Sequence, residues 1–129
     1  MTPDLTYLAL TALLTGLLWL PYMAGQITAN GMMAPADFKE ATARPVPKWA
    51  QRANRAHLNA IETLAPFAVL VLIAHVAGVA DESTALWAAV FFWARVAHAV
   101  VYIAGIPYAR SLAFAAGNVA LILLFVAII

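Results

Sequence analysis

The 129-residue chain has no cysteine and little charge: seven Lys and Arg and six Asp and Glu, 10% of the residues, against a hydrophobic share of 65%. Without cysteine there is no disulfide framework, no thiolate zinc site, no covalently attached haem and no thiol nucleophile of the chain's own. If thiol chemistry takes place, a ligand brings the sulfur. A net charge of +1 without a basic run argues against nucleic acid as a partner, because phosphate binding needs clustered Lys and Arg. Soluble domains carry about a quarter charged residues, so this composition points into lipid.

What the chain has instead is long apolar runs. At about 20 residues per crossing they make four spans, about 5–24, 55–79, 84–105 and 109–129, and one membrane domain over 1–129. The first run lacks the basic start and cleavage pattern of a signal peptide and reads as a retained helix closed by Pro21, Tyr22 and Gly25. Residues 26–51, with Asn30-Gly31, Pro35, Pro45 and Pro47, read as a loop holding at most a short surface helix over 37–42. Asp81 and Glu82 end the second span, and Ser83 or Thr84 is the expected N-cap of the third. No run alternates as a barrel strand does, so the fold class is an all-α integral membrane four-helix bundle.

The cations set a direction. Lys39, Arg44, Lys48, Arg52, Arg55 and Arg110 fall on one side of such a bundle, and Asp4, Asp81 and Glu82 on the other. The positive side is cytoplasmic by the positive-inside rule, leaving both termini on the non-cytoplasmic side. Tyr7 and Trp87 near the outer boundary, and Trp19, Tyr22, Trp49, Tyr102 and Tyr108 near the inner one, are placed as interfacial anchors. The Ala-rich, short loops suggest a bacterial inner membrane.

Several polar side chains fall within the hydrocarbon. Arg52, Arg55, Asn59 and Glu62 follow one another at three, four and three residues, and Arg95, His98 and Tyr102 at three and four, so each series forms a helical stripe. At about 1.5 Å per residue, Glu62 and His98 lie roughly 10 Å and Arg95 about 15 Å inside the cytoplasmic boundary. Charge at that depth needs a partner or a wet cavity, and an Arg95–Glu62 contact, within or between subunits, is the simplest pairing. His57, Arg110, Ser111 and Asn118 can close the same region. Converging guanidiniums with a carboxylate, an amide and a phenol suit a small, multiply anionic ligand. Glutathione has that chemistry: two carboxylates, an ammonium for Glu62, and a thiol whose anion a neighbouring Arg favours.

The segment Arg55-x-x-x-Asn59-x-x-Glu62-x-x-x-Pro66-Phe67, with Arg52 and His57 beside it, resembles a motif of the membrane-associated proteins in eicosanoid and glutathione metabolism. That family, MAPEG, includes microsomal glutathione transferases and microsomal prostaglandin E synthase. Arg95-Val-Ala-His98-Ala-Val-Val-Tyr102, followed by Arg110-Ser111, resembles its second motif. The resemblance implies a homotrimer of four-helix subunits with glutathione as cosubstrate, held between neighbours near the cytoplasmic side. It implies ligand-binding positions at Arg55, His57, Asn59, Glu62, Arg95, His98 and Tyr102, and places Arg110 and Ser111 near the sulfur. Leu58 stands where some glutathione-binding members have Arg, and nothing after the first span matches a further basic ligand of some relatives.

The leading reading is a glutathione-dependent membrane transferase or peroxidase acting on lipophilic electrophiles or hydroperoxides. The alternative is a non-catalytic lipid-binding or scaffold member of the same fold; a proton-coupled exporter ranks third, because it calls for a central acid without this excess of Arg. Each residue also has a plainer reading. Asn59, Glu62 and Asn118 can fasten helices, Arg52 can snorkel to headgroups, His98 can pack, and Tyr102 and Arg110 can be interfacial anchors. No metal site is expected, since three scattered His and one buried Glu do not supply convergent ligands.

Overall fold

The computed structural model describes residues 1–32 and 45–129, and everything below concerns those residues. Lys39, Arg44 and the short helix expected over 37–42 lie outside them. Five helices follow in order: α1 (Pro3–Leu17), α2 (Trp19–Asn30), α3 (Lys48–Val76), α4 (Glu82–Ala104) and α5 (Pro107–Ile128). The first two form one apolar stretch, Pro3–Asn30, so four stretches are long and apolar enough to cross a membrane. The architecture is all-helical, consistent with a four-helix membrane bundle.

Three boundaries differ from the sequence reading, the simplest being that α3 starts at Lys48, so that residues 48–51, read as loop, are helical. Pro21 does not close the first span. It sits in the first turn of α2, where a missing N–H costs nothing, and the helix continues to Asn30 before Gly31 turns out at φ 76°. The break is one residue, Leu18, between α1 and α2. At the start of α4 the cap is Asp81, not Ser83 or Thr84: its carboxylate accepts from the backbone N–H of Ser83 (2.9 Å) and Thr84 (3.0 Å), while Thr84 Oγ1 accepts from the Asp81 N–H (2.9 Å). This reciprocal pair satisfies three backbone donors at the entry of the span.

The bundle is inverted relative to a soluble protein. Leu13, Val69, Leu86, Trp93, Val100, Leu112, Ile122 and Val126 all face outward, where lipid tails suit them as well as any core. Inside, the two halves differ. In the acid-tipped half, Phe67, Val71, Ala88, Phe91, Ala120 and Leu124 form a filled core, with Phe67 and Phe91 stacked at 4.1 Å between centroids. In the other half the buried positions of α3 are Ala50, Ala53, Ala56 and Ala60, a stripe of small side chains that lets neighbours approach closely. Gly25 on α2 meets this stripe, and a Cβ there would collide with Ala50. Small residues and incoming charge thus share one end of the molecule.

Pro66 lies inside α3 without ending it. Having no N–H, it leaves the carbonyl of Glu62, four residues earlier, without its helical donor.

Candidate functional site

The site is built where the start of α3, the end of α4 and the start of α5 meet. Gly105 closes α4 in the left-handed conformation at φ 80°, and Ile106 and Pro107 start α5 directly after it. Arg52, one turn into α3, crosses to this junction and donates from Nε to the Ile103 carbonyl at 3.0 Å. A cation there satisfies one of the carbonyls that a helix end leaves open. Gly105 makes room for it, since an added Cβ would stand 3.1 Å from Arg52 Cζ. Arg110, on the first turn of α5, lays its guanidinium over the Tyr102 ring at 4.8 Å, a cation–π contact joining α5 to α4.

Two hollows flank that pair. One, about 260 Å³, is lined by Lys48, Gln51, Arg52, Arg55, Tyr102 and Arg110. The other, about 240 Å³, is lined by Asn59, His98, Tyr102, Arg110, Ser111 and Phe114. Tyr102 and Arg110 belong to both. The first hollow holds four cations and no carboxylate, which suits an anion. The second is an amide, a hydroxyl and two aromatic rings around the same guanidinium. His98 is buried there, edge-on to Tyr102 at 5.3 Å and tilted against Phe114 at 6.1 Å. Ser111 Oγ returns a long bond to the Pro107 carbonyl, 3.3 Å, within its own helix.

Arg95 lies behind the second hollow, 3% exposed. Its Nη1 donates to Asn59 Oδ1 at 2.8 Å and its Nη2 reaches the Ala113 carbonyl at 3.4 Å, while Phe91 and Phe114 each present a ring at 5.6 Å. Its Nε is buried without a partner. The guanidinium fits because α5 has Gly117 at that level: a Cβ there would stand 2.6 Å from Nη2.

The sequence-derived residues therefore divide into groups. Arg55, Asn59, His98, Tyr102, Arg110 and Ser111 line the two hollows. Arg95 supports one of them from behind, and within the chain its bonds go to Asn59 and Ala113 in place of the expected Glu62. Glu62 and His57 line neither hollow, Glu62 being exposed on the outward face of α3 and His57 half-buried. Asn118 donates to the Phe114 carbonyl of its own helix at 2.9 Å. Sequence reasoning missed Gln51 and Gly117 and left Lys48 as a loop cation. A glycine in the middle of an apolar span was the available signal for Gly117, because small residues mark close approach between membrane helices. Among the described residues no group of three or more His, Cys, Asp or Glu comes together as metal ligands would.

A family model described as the MAPEG family matches residues 5–129, essentially the whole chain. No curated protein and no solved structure matches it.

Proposed function

The chain belongs to the MAPEG family, and from that premise we propose that it is a glutathione-dependent membrane transferase or peroxidase acting on lipophilic molecules that arrive through the bilayer. The observation that carries this reading is the hollow of Lys48, Arg52, Arg55 and Arg110 without an acid, which shares Tyr102 and Arg110 with a less charged one. A ligand with carboxylates at one end and a softer nucleophile at the other matches that gradient. The cations hold the carboxylates, and Arg110, with Ser111 and Tyr102 beside it, stabilises the thiolate.

With a carbon electrophile, the thiolate sulfur forms a bond to carbon as the leaving group departs with its electron pair. With a hydroperoxide, the sulfur takes the terminal oxygen, the alkoxide leaves and acquires a proton, and a second glutathione thiol completes the reduction to disulfide and water. The chain's part is to bind the tripeptide and lower the cost of its sulfur anion.

A homotrimer belongs to the same proposal. Glu62, about 21 Å along α3 from Lys48 at helical rise, would otherwise place a carboxylate in hydrocarbon, at about 2.5 to 3.5 kcal/mol for a charge at mid-membrane. A neighbouring copy over that face covers it and brings it to a ligand's ammonium. The basic end then faces the cytoplasm of a bacterial inner membrane, with both termini on the opposite side.

The test is titration of the detergent-solubilised protein with glutathione, followed in the ultraviolet. Binding with thiolate absorbance, lost in Arg110→Ala, supports the reading. No binding at millimolar glutathione overturns it in favour of a lipid-binding or scaffold role.

A further inference from the structure

Arg95 is the most deeply enclosed cation of the described chain, yet it lines neither hollow. A guanidinium carries five donors and no acceptor. The 2.8 Å bond from its Nη1 to Asn59 therefore fixes which end of that amide faces it: the oxygen. An unconstrained asparagine can present either its oxygen or its nitrogen to a ligand. With the oxygen committed to Arg95, the nitrogen is what Asn59 can offer to the hollow it lines.

The guanidinium is itself held from three sides. Phe91 and Phe114 flank it at 5.6 Å each, and Gly117 supplies the gap on α5 into which Nη2 fits. A methyl group at residue 117 would stand 2.6 Å from Nη2, closer than nonbonded atoms tolerate, so the guanidinium would have to move. Among the described residues Arg95 donates otherwise only to the Ala113 carbonyl, at 3.4 Å, so displacement releases Asn59.

We propose that Arg95, seated against Gly117, is a positioning residue that locks Asn59 as a hydrogen-bond donor, so that the ligand atom meeting Asn59 is an acceptor, such as a carboxylate or carbonyl oxygen. The inference rests on the glutathione reading and adds to it a division of labour: the arginines lining the hollows touch the ligand, whereas this one acts through an amide.

Asn59→Asp separates the two roles. Aspartate is the same size and a better partner for Arg95, so if Asn59 serves only to satisfy that arginine, binding is unchanged or improved. If Asn59 donates to the ligand, the substitution puts an acceptor against an acceptor. Glutathione is the probe, measured by calorimetry on the solubilised protein. The expected result is a loss of affinity on the order of tenfold or more in Asn59→Asp, without loss of thermal stability. Gly117→Ala is expected to weaken glutathione in the wild-type background and to add nothing in Asn59→Ala, because its effect runs through that side chain. Wild-type binding with an equally good Asn59→Asp overturns the positioning role and leaves the proposed function standing. Absence of wild-type binding overturns both.

Discussion

Arg110 touches both hollows and the face of Tyr102. In the proposed function, a thiolate beside it gains a counter-charge in a poorly solvated place. Arg110→Ala is therefore expected to lose the thiolate absorbance while retaining part of the glutathione affinity, because Lys48, Arg52 and Arg55 still hold the carboxylates. Arg110→Lys keeps the charge but not the planar stack on Tyr102, and an intermediate absorbance is expected in the same titration. The residue stripes were legible in the sequence because three- and four-residue spacings fix a helix face. Which member of a stripe meets the neighbouring helix was not legible. Asn59 and Glu62 are three residues apart, about 60° around the helix, and that angle is enough to send one inward to Arg95 and the other outward. Spacing gives the width of a stripe, not its centre line.

Helices begin and end here through local devices. Asp81 caps α4 with a reciprocal pair of bonds to Thr84. Asp81→Ala removes them, and a loss of about 0.5–2 kcal/mol is expected, measured by denaturant titration of the solubilised protein. Gly105 is needed at the other end of α4 on two grounds, its φ of 80° and the Arg52 guanidinium 3.1 Å from where a Cβ would lie. Gly105→Ala should cost about 1–2 kcal/mol for the left-handed backbone. It should also weaken glutathione, because Arg52 would be pushed from the Ile103 carbonyl and the wall of its hollow would shift. A loss of stability with unchanged affinity would show that Arg52 serves only the helix end. At this scale the four apolar runs were readable from hydropathy alone. The errors came from Pro21, whose place in a first turn looks in sequence like a stop, and from Asp81, which was read as ending one span when it caps the next.

The described residues form an apolar bundle with a basic end, and the exposed Glu62 on α3 is its anomaly. A chain without cysteine allows a direct check of how the anomaly is resolved. Ile61 sits beside Glu62 and is 47% exposed. If copies meet with this face near the symmetry axis, Ile61→Cys in native membranes should give covalently linked pairs on mild oxidation, while Trp93→Cys, on the exposed face of α4, serves as the comparison. Uncrosslinked protein in both would show that copies do not meet at residue 61. The glycine at residue 117 was visible as a mark of close approach, but that the group it admits is the Arg95 guanidinium was not, because that depends on what lies opposite.

The two hollows have one ring and one guanidinium in common, Tyr102 and Arg110. Lifting Arg110 off Tyr102 takes rotation about its own side-chain bonds, a change of nanoseconds that leaves the backbone at rest. The shared wall of the two chambers can thus be reshaped with no hinge and no lid, by the turning of one side chain.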